Sequence, residues 1–180
     1  MTDLSCKSDG PAVRRWWRLA LTVIVTAATL WAAGASWFRL FIGGVGIPPG
    51  FTGTGGRAAE AEGPSSATVA GVIPWGYATA VLAMVALILV VNATIRPDSP
   101  LAEAVASGLL GLAAVLSLAV WIAPDLMMSG AVAAIDEQIG PHPDAPMSFV
   151  AESGLITTLV ATSAGSVILL LGYPRRSRDR

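Results

Sequence analysis

The chain has 180 residues, of which 54% are hydrophobic and only 13% are charged. Soluble domains carry roughly 25% charged residues, and the mean hydropathy here is +0.67, so the composition argues against an ordinary soluble domain. The net charge of −1 leaves no basic excess for binding nucleic acid. Ten of the eleven basic residues are arginine, and Ala, Gly and Val are abundant, a bias associated with GC-rich bacterial genomes.

The first apolar segment follows a basic flank, residues 1–18, and extends from Leu19 to Phe38. Ala33-Gly34-Ala35 satisfies the small-residue pattern of a signal-peptide cleavage site. The segment is nevertheless about as long as the ~20 residues needed to cross a bilayer, and aromatic residues lie at both of its ends. We therefore expect it to be a retained transmembrane helix, with cleavage before Ser36 as the alternative.

Three further apolar segments contain no charged residue and have 19 or 20 residues each, at 77–95, 104–122 and 154–173. This is the length and composition of a transmembrane helix. The predicted fold is therefore all-α, a bundle of four transmembrane helices. The link at 96–103 is short and contains Pro97 and Pro100, so the second and third spans should form an antiparallel hairpin.

The distribution of Lys and Arg predicts the orientation. Nine of these residues lie in the N-terminal flank, the 96–103 link and the tail at 174–180, whereas Arg39 and Arg57 lie in the two remaining segments. Basic residues concentrate on the cytoplasmic side. We therefore expect cytoplasmic termini in a bacterial plasma membrane, and extracytoplasmic loops at 39–76 and 123–153.

The two predicted loops differ in character. Residues 39–76 are rich in Gly, Pro and Ser, which is typical of a flexible or extended segment. Gly56 is followed by Arg57 and Ala58, so no phosphate-binding Gly-Lys-Ser/Thr motif is present. In residues 123–153, apolar side chains recur at helical spacing and predict a short amphipathic helix between Asp125 and Gly140; these are Met128, Val132, Ile135 and Ile139.

Aromatic residues lie near the predicted ends of the spans, where amphipathic rings contact lipid headgroups. The predicted anchors at the inner interface are Trp16, Trp17 and Tyr173, and those at the outer interface are Trp37, Trp75, Tyr77 and Trp121.

Small and hydroxyl-bearing residues form stripes within the spans, which allow helices to approach closely in lipid. The fourth span has Gly154, Thr158, Thr162 and Ser166, and the third has Gly108 and Gly111. The stripes fit either packing within the bundle or docking onto other membrane subunits. Leu169 is expected to face lipid, and Asn92, the one asparagine, to form a hydrogen bond between helices.

Residues suited to catalysis or metal binding are scarce. Cys6 and His142 are each the single residue of their type, and His142 with Asp136, Glu137 and Asp144 makes an incomplete metal-ligand set. We therefore expect no catalytic, cofactor or metal site. The predicted function is a non-catalytic accessory or assembly subunit of a bacterial cell-envelope complex, whose partners are the lipid bilayer and other membrane subunits. The alternatives are a small transporter or channel subunit acting as a homo-oligomer, and an extracytoplasmic sensor of lipid or of a cation.

Overall fold

The computed structural model describes residues 11–56, 72–96, 100–139 and 147–171. In chain order the elements are α1 (Pro11–Gly34), β1 (Ser36–Ile42), β2 (Val45–Thr52), α2 (Trp75–Ile95), α3 (Pro100–Ile122), α4 (Asp125–Ile139), β3 (Met147–Ala151) and α5 (Ser153–Leu171). Four of the helices, α1, α2, α3 and α5, are long and apolar enough to cross a membrane. The prediction of four such helices is confirmed.

The four long helices form a square bundle. Helices α1 and α3 each pack against α2 and α5, so α1 and α3 face one another across a diagonal. The strands lie where α1 ends and where α2 and α5 begin, and we call this the sheet end. The opposite end, where α2 leads into α3, is the link end. Neighbouring helices are therefore antiparallel around the bundle.

Most of the large apolar side chains of α2 lie on the outer face of the bundle, and most of its alanines lie inside. On α2, Val81, Ile88 and Ile95 are exposed, whereas Ala83, Ala86 and Ala93 are buried. A soluble helix would bury its large apolar residues, and exposed apolar surfaces of this extent are typical of contact with a membrane. Together, the four apolar helices and their outward-facing side chains indicate a multi-pass membrane protein.

A small antiparallel sheet corrects the all-α prediction. Its strand order is β2-β1-β3. Helix α1 ends at Gly34 rather than Phe38, and Trp37 and Phe38 belong to β1. Gly43 and Gly44 form the turn between β1 and β2 with φ values of 57° and 83°, a conformation that glycine adopts without strain and that suits a two-residue hairpin. Part of the segment expected to be flexible or extended is therefore a β-hairpin.

The sheet has its own core, separate from that of the bundle. This cap cluster contains Trp37, Phe38, Leu40, Phe51, Val120, Met127, Met128 and Leu155. Residues on the inward face of β3 pack against it, and the rings of Phe38 and Phe149 meet edge to face with centroids 6.5 Å apart. Helix α4 lies in the range where the sequence predicts a helix, and Met127 and Met128 connect it to the cap cluster.

The second core, which we call the bundle cluster, lies between the long helices. It contains Val25, Ala83, Ala86, Val90, Ala106, Leu110 and Leu169. Leu169 is 2% exposed, so the expectation that it faces lipid is wrong. Hydropathy alone does not distinguish the two faces of an apolar helix; the neighbouring Leu170 occupies the exposed face instead.

The close approach of α5 to the end of α1 gives a first prediction. A Cβ atom at Gly154 would lie 2.7 Å from the Ser36 carbonyl oxygen and 2.9 Å from that of Ala32. We expect Gly154→Ala to destabilise the protein by about 1–3 kcal/mol through overpacking. Thermal unfolding in detergent measures this effect. Gly108→Ala is the matched control, because its Cβ would meet nothing within 4 Å; equal melting of the two variants would contradict the prediction.

Candidate functional site

The interior of the bundle is lined with hydroxyl groups. The buried ones on the long helices are Thr22, Thr26, Thr29, Thr79, Ser107, Ser117, Thr158, Thr162 and Ser166. Many donate to the carbonyl one turn earlier on their own helix, as Thr158 does to Gly154 at 2.9 Å and Thr162 to Thr158 at 2.7 Å. Ser and Thr satisfy their polarity in this way inside a helix.

Two pairs of helices are joined by hydrogen bonds from hydroxyl groups. The Ser107 Oγ donates to the Ser166 carbonyl at 2.9 Å, and the Ser166 Oγ donates to the Ser107 carbonyl at 3.0 Å. This reciprocal pair joins α3 to α5. Thr26 donates to the Ala83 carbonyl at 3.3 Å and so joins α1 to α2. Such bonds require the backbones to lie close together, which small residues permit.

The predicted stripes separate into two environments. Gly154, Thr158, Thr162 and Ser166 are all buried within the single chain. Gly111 faces the same interface, since a Cβ there would lie 3.2 Å from the Ser166 Oγ. Gly108 is exposed on the outer surface of α3. The structure therefore brings the α5 stripe and Gly111 together and leaves Gly108 outside; whether any of them docks a partner stays a prediction.

An ion pair lies at each end of the bundle. At the link end, Arg18 Nη1 is 2.7 Å from Glu103 Oε2, and the two side chains are 12% and 19% exposed. This pair connects α1 to α3 across the diagonal. At the sheet end, Arg39 Nε is 2.7 Å from Glu152 Oε1. The sequence places both glutamates at helix ends, but these pairings are non-local and no spacing rule reveals them.

The predicted aromatic anchors occupy three kinds of position. Trp16, Trp17 and Trp121 are exposed, as contact with headgroups requires. Trp75 is half-buried and its Nε1 donates to the Leu126 carbonyl at 3.1 Å.

Trp37 lies instead in the cap cluster with 0% exposure, so its ring has no surface with which to contact headgroups. Its Nε1 donates to the Ala32 carbonyl at 2.8 Å. Tyr173 lies outside the described residues.

The residues considered for metal binding are mostly beyond the described ranges. Cys6, His142 and Asp144 lie outside them, and the side chains of Asp136 and Glu137 on α4 are not described. Within the described part of the chain, no group of three or more His, Cys, Asp or Glu residues lies close enough together to hold a metal ion.

The sequence matches no protein family model and no curated protein. A proposal for the function therefore depends on the geometry of the chain. Its buried hydroxyls are bonded to backbone carbonyls, and charged side chains meet in pairs at the two ends of the bundle. These features build a stable scaffold with two distinct outer surfaces, the faces of the long helices and the sheet-end cap.

The reciprocal serine pair provides a second prediction. We expect the double variant Ser107→Ala and Ser166→Ala to lose about 1 kcal/mol of stability, because two bonds between helices disappear. Ser117→Ala is the control, since the Ser117 Oγ donates only within its own helix, to the Ala113 carbonyl. Unfolding in detergent compares the variants. If Ser117→Ala costs as much as the double change, the serine pair does not hold α3 to α5.

Proposed function

We propose that this chain is a non-catalytic accessory or assembly subunit of a membrane protein complex in the bacterial cell envelope. One observation carries the proposal: in the described part of the chain, a three-stranded sheet packs with the neighbouring helix ends into a cap at the sheet end. A cap with its own core presents a defined surface at one end of the molecule. That arrangement suits recognition of a partner.

The cap is attached to the bundle at several points. Gly76 N donates to the Gly53 carbonyl at 2.7 Å, and Ile73 N donates to the Met127 carbonyl at 2.9 Å. On the other side of the sheet, Glu152 N donates to the Trp37 carbonyl at 2.9 Å. These bonds fix the cap relative to the starts of α2 and α5. A surface held in this way binds a partner without a large ordering cost.

The side-chain chemistry also supports binding over catalysis. Catalysis needs a nucleophile and a base, or a metal set, within reach of one another. In the described part of the chain, the buried hydroxyls of α5 are bonded to carbonyls and Glu103 and Glu152 are paired with arginines. This arrangement favours a structural role for these groups.

A second candidate function is a small transporter or channel subunit. The row of buried hydroxyls inside the bundle favours it, because polar side chains along an axis can line a pathway. The same hydroxyls are engaged with the backbone, and the interior between them is filled by the bundle cluster. Transport by this chain would therefore require association of several copies or rearrangement of the helices.

We further propose that both termini and the link end are cytoplasmic, with the sheet end outside. The nine basic residues of the flanks and link support this orientation. Val45 at the hairpin and Leu101 at the start of α3 are both exposed and lie at opposite ends. In a Cys6→Ser background, an impermeant maleimide should label Val45→Cys in intact cells, and Leu101→Cys only after permeabilisation. The reverse pattern would overturn the orientation.

The accessory role predicts a stable foreign partner. Purification from native membranes in mild detergent, followed by mass spectrometry, should show another membrane protein at a fixed ratio. The membrane level of that protein should fall when this chain is deleted. A photo-reactive residue at Val150 on the cap should crosslink to that partner, whereas one at Val160 on the lipid-facing side of α5 should not. A chain that purifies without such a partner and transports a solute in liposomes would favour the second candidate.

A further inference from the structure

Helix α2 exposes a carboxamide on its outer surface. Asn92 is exposed, near the link end of the helix. Its amide forms no hydrogen bond within the described part of the chain. The hydrogen bond between helices that is expected for Asn92 is therefore not formed within the described part of the chain. A carboxamide within an apolar helix face is stabilised by a hydrogen-bond partner, and here that partner lies outside the described chain.

The exposed residues around Asn92 follow a regular spacing. Along one face of α2 they recur at intervals of four and three residues, at Val81, Val85, Ile88, Asn92 and Ile95. Alternation of four and three is the heptad spacing by which two helices pack along a shared seam. A single asparagine within such a seam fixes the register of the paired helices. We call these five residues the α2 seam.

We infer that the α2 seam is the interface between two copies of this chain, held in register by a hydrogen bond between the two Asn92 side chains. Every copy inserts with the same topology, so α2 of a second copy runs parallel to the first, with Asn92 at the same depth. A carboxamide is both donor and acceptor, so it complements an identical group. The contact is then isologous around a two-fold axis. This inference depends only on the membrane-spanning fold, not on the accessory role.

A second copy of the chain complements the α2 seam better than an unrelated helix does. A foreign helix would need a donor or acceptor at the depth of Asn92, whereas a second copy supplies both at that depth. The remaining positions of the seam are Val and Ile, whose branched side chains have few rotamers to lose on packing. Pairing of two copies therefore gives the amide a partner and packs the apolar seam at the same time.

Disulfide crosslinking in native membranes tests the interface. In the full-length Cys6→Ser chain, we expect Ile88→Cys to form a covalent dimer on mild oxidation. Val167→Cys on α5 is the matched control, because it is similarly exposed and lies at a similar distance from the start of its helix. A dimer yield at Ile88→Cys no higher than at Val167→Cys would overturn the interface.

The role of Asn92 is tested in the Ile88→Cys background. Loss of the amide in Asn92→Leu should weaken dimerisation about three- to tenfold, the range of a hydrogen bond between helices in lipid. Thr94→Val is the control, because the Thr94 hydroxyl donates within its helix to the Val90 carbonyl. Melting of the Asn92→Leu monomer should be unchanged. Undiminished crosslinking in Asn92→Leu would show that the amide reaches lipid headgroups or water instead, and would refute its role in register.

Discussion

Burial of a single indole connects five elements of this protein. Trp37 lies in β1, and its Nε1 donates to the Ala32 carbonyl in the last turn of α1. That carbonyl belongs to the group that a helix end leaves without an intrahelical partner. A side chain at Gly53 or Gly154 would overlap the ring, so the residue that follows β2 and the start of α5 approach it closely. Since Gly76 of α2 bonds to Gly53, the indole sets the position of the sheet against three helices.

The packing of the four long helices depends on a different physical effect from the packing of the cap. Lipid tails are as apolar as Leu, so burying large apolar side chains does not drive helices together in a membrane. Association depends on close contact and on bonds such as the reciprocal pair of Ser107 and Ser166. The Ala, Ser and Thr residues of the interior therefore hold the helices together by allowing close contact, alongside the larger residues of the bundle cluster. The Arg18–Glu103 pair then joins the diagonal helices at the link end, where headgroups and water begin.

Sequence reasoning found the elements that composition alone defines and missed those that depend on distant contacts. The length and lack of charge of the apolar segments were sufficient to predict the four spans. The prolines were sufficient to predict the link between α2 and α3. The sheet was missed because the glycines and prolines of residues 43–56 are equally typical of a flexible loop, and because Trp37 and Phe38 continue an apolar run. It was harder still to predict which face of each span is buried. Leu169 and Leu170 are chemically identical neighbours, and only the packing of α5 separates the buried one from the exposed one.

The two outer surfaces favour association for different physical reasons. At the sheet end, the cap is closed by its own core, so a partner there meets a surface that already exists in the free chain. On α2, by contrast, the exposed Asn92 leaves the free chain with an unmet polar group in an apolar face. Pairing of two copies would give the Asn92 amide a hydrogen-bond partner, whereas binding at the cap would add contacts to a surface that already has its own packed core. Both proposed contacts therefore form between chains that are already folded.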